Sequence, residues 1–369
     1  MKVKQQPHDF EVEELSRLKP GVQGPFALYR LHKQGMGTLE AVVALCRAWK
    51  VPRRAVAFAG LKDRYGRTAQ CVSIRSGPQR NFEGRGFRLN YLGRSLRPAV
   101  RGTVAGNRFR IVLRDLCDEQ AACVAERALA AEAHGVPDYF DDQRFGSLRG
   151  TNGEFVARAL LDGDAQKALR LAIASPSRAD RSKMKRRRRL LQRKWGDWKA
   201  LARELDGGTE QRICRRLAEG AAFEEAYALV DETLRSLHLA AFQSFLFNRM
   251  LRAAVGDGPQ HLGVAGPYVF CEADRADLRE LSFPLASRDA PADAALDAVL
   301  QADGLTRQTL SALPFRPGFR GALFIPRELA VGEPEPDDLN AGRRKLALHF
   351  TLRPGSYATM LIKRCTFGF

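Results

Sequence analysis

The sequence predicts an α+β protein with more than one domain, and three observations support this. The chain up to Arg114 alternates short strand-like segments with turns, residues 208–255 have helical periodicity, and residues 345–352 alternate again as a strand. At 369 residues the chain is long for one domain and comfortable for two. We therefore expect strand-rich ends and a helical middle.

The N-terminal part contains the clearest elements. Strands are predicted at 10–13, 26–31, 68–74 and 106–114, where apolar residues occupy alternate positions. Helices are predicted over 38–49, with Thr38 as N-cap, and over 119–134, with Gly135 as C-cap. The composition changes at Gly135, and the two prolines of 332–336 predict a connector.

The charge of the chain indicates a polyanionic partner. Sixty Lys and Arg against 42 Asp and Glu give a net charge of +18, which favours binding to phosphates. We expect a nucleic acid rather than a membrane, because no run of about 18 apolar residues exists. Residues 178–199 are the most basic segment, with Lys185, Arg186, Arg187, Arg188 and Arg189 at the centre. A nucleic-acid contact is favoured there over a merely solvated helix face.

Several classes of site are excluded by missing patterns. The chain has no P-loop, no dinucleotide-binding glycine fingerprint, no Gly-x-Ser-x-Gly and no metal-ligand spacing. The absence of a glycine-rich loop for a nucleotide cofactor also counts against a methyltransferase. The seven cysteines include no Cys-x-x-Cys, and the N-terminus lacks the features of a signal peptide. We therefore expect a cytoplasmic protein with free thiols.

The segment 58–70 contains the carboxylate that we single out, Asp63. Read alone, an Asp in a glycine-containing turn is more often a turn-former than a catalyst. An ionised Asp could act as a nucleophile if nearby cations keep it deprotonated. If the chain is extended at Lys62 and Asp63, their side chains point to opposite faces. The cation must then come from a distant Lys or Arg.

Ala59–Arg64, with Thr68 and Gln70, resembles the catalytic loop of the TruD family of tRNA pseudouridine synthases. Lys4, Pro7, Asp9–Phe10 and Val12–Glu13 resemble its N-terminal Lys-x-x-Pro-x-Asp-Phe-x-Val-x-Glu. Further matches are Gly106–Phe109, the Gly-x-Pro and Gln-Arg-Phe-Gly segments within 135–146, Gln243–Asn248 and Pro354–Thr359. The sequence departs from the family at Asp138, Asp141 and Lys363–Arg364.

The resemblance implies a fold and a division of the chain. A pseudouridine-synthase-like catalytic domain, built on a mixed and mostly antiparallel sheet, would comprise 1–134 plus 331–369. An inserted α/β domain specific to the TruD family would comprise 135–330. The implied reaction is isomerisation of uridine in tRNA, at position 13 of the D-arm, without metal or cofactor. We expect the protein to act as a monomer.

The resemblance also implies roles for individual residues. Asp63 would be the catalytic carboxylate, which attacks the base or the ribose or removes a ribose proton. Lys4 would be the distant cation, Phe109 would stack on the flipped-out uracil and Asn107 would hydrogen-bond near it. Lys4 could instead be a frayed terminus, Phe109 a core residue and Asn107 a turn residue. Contacts to RNA are further expected from Lys62, Arg144 and Lys185–Arg189.

Two alternatives to this function stay open. The chain could bind and fold tRNA without catalysis, which explains the charge but not the match around Asp63. It could also perform the same chemistry on a broader set of RNAs.

Overall fold

A computed structural model describes residues 1–148, 153–176 and 182–369. Residues 178–181 of the predicted basic segment lie outside the described residues. The chain divides into two compact units, one formed by Met1–Val136 with Phe324–Phe369 and the other by Pro137–Leu323. The first unit is therefore discontinuous in sequence, and the second is a single stretch of the chain.

Strands dominate the two ends of the chain, and helices dominate its middle. The first part of the chain contains β1 (Lys2–Val3), β2 (Phe10–Ser16), β3 (Phe26–Gln34), α1 (Thr38–Trp49), β4 (Val56–Phe58), β5 (Arg67–Arg75), β6 (Phe82–Gly84), β7 (Phe87–Ser95), β8 (Val104–Leu116) and α2 (Asp118–His134). The middle contains β9 (Val136–Pro137), α3 (Val156–Leu161), α4 (Ala165–Ile173), α5 (Ser182–Arg193), α6 (Trp198–Glu204), α7 (Gly208–Ala218), α8 (Phe223–Ala228), α9 (Glu232–Val255), β10 (Gln260–Gly263), β11 (Gly266–Val269), α10 (Ala276–Arg279), β12 (Ser282–Pro284), α11 (Ala294–Ala302), α12 (Arg307–Leu310), β13 (Phe319–Gly321) and β14 (Leu323–Phe324). The chain ends with β15 (Arg327–Val331), β16 (Glu335–Pro336), β17 (Arg344–Leu352) and α13 (Ala358–Thr366).

The first unit is built on an 11-stranded sheet with the main order β15-β17-β8-β2-β5-β3-β7-β6. Within this sheet, β2 pairs with β5 in parallel, and the other described pairings are antiparallel. The α+β class and the mixed, mostly antiparallel sheet predicted from the sequence are therefore confirmed. The C-terminal β17 lies between β15 and β8, so the last residues of the chain complete the sheet that the first residues begin.

Helices cover part of this sheet. Ala41, Val42 and Leu45 of α1 pack with Tyr29 and Leu31 of β3 in one buried cluster, which follows from the apolar stripe of the helix and the alternation of the strand. The α2 helix contacts β15, β17 and α13. It ends at Gly135, which has a φ of 80° and whose N–H bonds to the carbonyl of Ala131. The predicted C-cap is therefore confirmed.

A buried ionic cluster joins the beginning and the end of the first unit. Arg114 on β8 has 2 % of its side chain exposed, and it bonds to Asp9 at 2.9 Å and to Asp337 at 2.8 Å. Asp338 also lies 2.9 Å from its guanidinium. Since buried charges persist only when paired, this cluster holds the segment 337–338 against the N-terminal strands.

The second unit is mainly helical. One core contains buried residues of α3 to α8, among them Leu169, Leu191, Leu201 and Ile213. The 24-residue helix α9 begins after Asp231, whose carboxylate accepts a hydrogen bond from the N–H of Leu234, as an N-cap residue does.

Two predictions differ in detail from the structure. Gly37, rather than Thr38, is the N-cap of α1, because the Thr38 hydroxyl is engaged in hydrogen bonds with residues distant in sequence. The strand β15 (Arg327–Val331) pairs with β17 in the sheet of the first unit, so the contact boundary at Leu323/Phe324 precedes the predicted one at 330/331. The division into two domains stays a prediction.

Candidate active site

Strand register defines the face of the sheet that carries the candidate site. Phe350, Phe109, Val12, Thr68 and Lys33 are successive partners across β17, β8, β2, β5 and β3. Paired residues on neighbouring strands point to the same side of a sheet. A row of five side chains from distant parts of the sequence therefore lies on one face.

The segment between β4 and β5 forms a loop that is attached to this part of the fold. The side-chain amide of Gln70 donates to the carbonyl oxygen of Gly60 at 3.0 Å. The hydroxyl of Thr38 accepts a hydrogen bond from the N–H of Lys62 at 3.0 Å and donates one to Gln70 at 2.8 Å. Thr38 and Gln70 are both buried. The loop is thus held at two points of its main chain before it reaches Asp63.

The Asp63 carboxylate is held by a cation and by a backbone amide. Lys4 Nζ bonds to Oδ2 of Asp63, and the N–H of Tyr65 donates to Oδ1 at 3.0 Å. Burial raises the pKa of the Asp63 carboxyl, but these hydrogen bonds and the charges of Lys4 and Lys33 outweigh it, so that the pKa is lowered below its ordinary value of 3.8. The group is ionised at neutral pH.

Lys4 is positioned by an uncommon backbone conformation. Its φ is 62°, in the left-handed region that residues other than glycine rarely adopt and that is often found at functional sites. Its ammonium also lies 3.7 Å from the centroid of the Phe10 ring. Lys2–Val3 pair with β8 just before it, so Lys4 is not a frayed terminus.

Lys62 points away from Asp63 and into the fold. Its ammonium lies 3.0 Å from Oε2 of Glu14 and donates to Oδ1 of Asn107 at 2.6 Å. Glu14 and Asn107 are paired across β2 and β8, and the Glu14 side chain is almost fully buried. By spacing, the final Glu of the N-terminal family pattern is Glu14 and not Glu13, which is a correction to our alignment of that pattern.

Phe109 lies in an aromatic cluster. Its ring stacks on Phe350 with a centroid distance of 5.3 Å and meets the ring of Phe10 edge-on at 6.3 Å. It is 8 % exposed. A planar base could stack on it only from the side opposite to Phe350.

Lys33 is a residue of this site that sequence reasoning missed. Its ammonium donates to the main-chain carbonyl oxygen of Asp63, and the residue is 3 % exposed. Burial lowers its pKa to about 8, while Asp63 acts to raise it and Lys62 and Arg64 act to lower it. The signal was available, because Lys33 follows Ala27, Tyr29 and Leu31 at the alternate, core-facing positions of its strand.

The remaining expected RNA contacts lie in the second unit. The guanidinium of Arg144 lies 5.2 Å from the ring of Phe140. Arg188 is buried and donates to the carbonyl oxygen of Ser175 at 2.6 Å. Arg187 lies 2.8 Å from Oδ1 of Asp206. Arg187 and Arg188 therefore attach α5 to its own unit.

The other cations of α5 face solvent. Lys185, Arg186 and Arg189 are exposed, and in the described part of the chain none of them has an acidic partner. Positions 185, 186 and 189 lie on one side of an α-helix because they are three to four residues apart. We call these three residues the basic stripe.

The described residues contain neither a candidate metal-binding cluster nor a helix that could span a membrane. No group of three or more His, Cys, Asp or Glu side chains within 1–148, 153–176 and 182–369 could hold a metal ion. In the same ranges, no helix has the length and apolar character needed to cross a membrane.

The chain is similar to known proteins over most of its length. A sequence model of the family tRNA pseudouridine synthase D (TruD) matches residues 1–284. The tRNA pseudouridine synthase D of Geobacter sulfurreducens is 32 % identical over 387 residues, which cover 98 % of this chain and 92 % of that protein. The tRNA pseudouridine synthase D of Aquifex aeolicus is 28 % identical over 391 residues, with coverage of 99 % and 97 %.

A solved structure is similar in fold. The protein from Methanosarcina mazei, described as TruD, superimposes with a TM-score of 0.73 at 23 % sequence identity, and the match covers 99 % of this chain and 93 % of that one. At this identity the likeness concerns the fold.

Proposed function

Since the chain belongs to the TruD family and is therefore a tRNA pseudouridine synthase, we propose that Asp63 is its catalytic carboxylate and that its target is the uridine at position 13 of the tRNA D-arm. The observation that carries the proposal is the ion pair of Asp63 with Lys4 in a loop anchored by buried side chains. The position of the target uridine rests on the resemblance of the sequence motifs.

The reaction explains why an ionised carboxylate is useful. The bond between N1 of uracil and the ribose C1′ breaks, the uracil turns, and a bond forms from its C5 to C1′. C5 loses its proton and N1 gains one, so that the reaction is an isomerisation with no net oxidation. Asp63 either attacks the base or the ribose or removes a ribose proton. Each of these roles requires the deprotonated form, which the hydrogen bonds from Lys4 and Tyr65 favour.

Asn107 and Phe109 are suited to hold the flipped-out base. Oδ1 of Asn107 accepts a hydrogen bond from Lys62, which fixes the orientation of the amide. Its amide nitrogen could donate to a uracil carbonyl. The Phe109 ring is fixed by Phe350 behind it, which makes it a rigid surface on which a base could stack.

We also propose that the two units are the catalytic domain and the inserted domain of the family. In the second unit, the basic stripe Lys185, Arg186 and Arg189 is suited to bind tRNA phosphates, since its cations are exposed while Arg187 and Arg188 fix the helix. We limit the proposed RNA contacts of this helix to those three residues.

The test is pseudouridine formation in unmodified tRNA, mapped by carbodiimide labelling and primer extension. We expect a single product at position 13 for wild type, and for Asp63→Asn a rate below about one-thousandth of wild type with unchanged tRNA affinity. Asp289→Asn, an exposed carboxylate of the second unit, is the control and should be fully active.

The outcomes separate the alternatives. A fully active Asp63→Asn would remove Asp63 from the mechanism, and product at other positions would remove the D-arm assignment. If wild type binds tRNA but forms no pseudouridine in any RNA, the non-catalytic tRNA-binding alternative is supported instead.

A further inference from the structure

Lys33 is an ionisable residue at a position that the strand pattern reserves for the core. Ala27, Tyr29 and Leu31, at the preceding alternate positions of β3, are all buried, and Leu31 packs with α1. A lysine at such a position loses solvation and is retained only where its ammonium has a partner. Its partner is the main-chain carbonyl oxygen of Asp63, rather than a carboxylate.

That carbonyl belongs to the peptide unit that follows the catalytic side chain. The loop is attached elsewhere at Gly60 and Lys62, through Gln70 and Thr38. Among the described residues, it is the hydrogen bond from Lys33 that attaches the main chain of Asp63 itself to the sheet. The carboxylate has separate contacts, to Lys4 and to the N–H of Tyr65. Lys33 thus fixes the backbone from which the Asp63 carboxylate projects.

Few groups around Lys33 stabilise its positive charge. The charged groups that act on it are Asp63, Lys62 and Arg64 of the loop. Across the sheet its partners on β5 and β7 are Thr68 and Phe87, which carry no charge. Among the acids of the elements around the loop, Glu14 of β2 pairs with Lys62 and Glu40 of α1 pairs with Arg64. Asp63 itself pairs with Lys4.

We propose that Lys33 is a positioning residue, whose protonated side chain holds the main chain of Asp63 so that the carboxylate reaches the target uridine. This inference rests on the proposed role of Asp63. A charge-assisted hydrogen bond is stronger than a neutral one, so loss of the Lys33 proton weakens the attachment of the loop. Since burial lowers the pKa of Lys33 to about 8, we expect the protonated form, and with it activity, to be lost as the pH rises through that value.

The experiment compares wild type, Lys33→Met and Lys33→Arg in single-turnover pseudouridylation of tRNA between pH 6 and 10. This range includes the pKa of about 8 and ends below the ordinary lysine value of about 10.4. Lys33→Met has similar length but neither charge nor donor, and we expect its rate at pH 7 to be about 10- to 100-fold lower. Its tRNA Kd should equal that of wild type, because Lys33 is buried. Lys33→Arg keeps a charge that does not titrate in this range, so it should recover most of the rate and lose the alkaline fall.

Each result has a definite meaning. An alkaline fall of the same midpoint in Lys33→Arg, or a full rate in Lys33→Met, would overturn the proposal. Thermal unfolding of Lys33→Met controls for misfolding, and if that variant is unfolded, the comparison of pH profiles between wild type and Lys33→Arg decides. If wild type is active and Asp63→Asn is not, failure of the Lys33 prediction leaves the proposed function intact. An inactive wild type would instead remove the proposed function itself.

Discussion

The ammonium group of Lys62 donates a 2.6 Å hydrogen bond to Oδ1 of Asn107, a residue 45 positions further along the chain. The same ammonium lies 3.0 Å from the carboxylate of Glu14, and the Lys62 side chain is 13 % exposed. A cation in this position connects the loop that carries Asp63 with β2 and β8. We therefore expect Lys62 to contribute to the geometry of the site more than to RNA affinity.

The first prediction concerns the ion pair of Lys62 with Glu14. Lys62→Met and Glu14→Gln should each destabilise the fold, because each leaves a poorly solvated polar partner behind. The double variant should be more stable than the sum of the single changes implies, with a coupling energy of about 1–3 kcal/mol. Urea unfolding measures all three, and the tRNA Kd of Lys62→Met should be that of wild type. Strictly additive effects together with weakened tRNA binding would instead assign Lys62 to the RNA interface.

The second prediction concerns Lys4. Replacing it with Met removes the hydrogen bond and the positive charge that lower the pKa of Asp63, so the acid limb of the pH–rate profile should move to higher pH. The sign follows because, in the proposed mechanism, the ionised carboxylate is the active form, and its pKa rises when the cation is lost. The rate at pH 7 should fall about 10- to 100-fold, because the carboxylate also loses its orientation. An acid limb identical to that of wild type would contradict the assigned role of Lys4.

The third prediction concerns the basic stripe. Changing Lys185, Arg186 and Arg189 together to Ser should weaken tRNA binding at least about 10-fold and lower the slope of log K against log salt by about 2. The single-turnover rate at saturating tRNA should be retained. The control is the triple change of Arg47, Lys50 and Arg54 to Ser. These residues are also exposed, and the change removes the same amount of charge. Equal effects of the two triple variants would indicate a general effect of net charge.

The fourth prediction concerns the buried cluster around Arg114. Arg114→Met leaves the buried Asp9 and Asp337 without their cation and should lower the free energy of unfolding by about 3–5 kcal/mol. Arg344→Met breaks an exposed pair with Asp118 and should cost less than about 1 kcal/mol. Chemical denaturation of both variants makes the comparison, and similar losses would contradict the structural role of the cluster.

The same cluster predicts a dependence of stability on pH. Burial raises the pKa of Asp337, but backbone N–H groups, Asn340 and Arg114 outweigh it and lower the pKa to about 2. Because the folded-state pKa lies below the ordinary value of 3.8, this carboxylate stabilises the fold above that value and ceases to do so as the pH falls towards 2. In Arg114→Met the folded-state pKa of Asp337 should lie closer to 3.8, so the loss of stability on acidification from about pH 4 to 2 should be smaller than in wild type, which denaturation at a series of acid pH values would detect.

Local patterns in the sequence were sufficient for most elements of the first unit. The alternation of Phe109, Ile111 and Leu113 predicts β8, and the glycine after His134 predicts the end of α2, because strand pleat and helix capping depend on neighbouring residues. The N-cap of α1 was assigned wrongly for a complementary reason. Thr38 has the chemistry of a cap, but its hydroxyl bonds to Lys62 and Gln70, which are close to it only in the folded chain.

The sequence by itself determined the family, through motifs spread from Lys4 to Thr359, and it singled out Asp63 by its place in one of them. Because neighbouring side chains point to opposite faces of an extended chain, the sequence also predicted that the cation pairing with Asp63 is a distant residue and not Lys62. Only the tertiary structure decided what surrounds the carboxylate, because strand register brings Lys33, Glu14 and Asn107 beneath the loop from three different strands. Register is a property of paired strands, and no single stretch of the chain contains it.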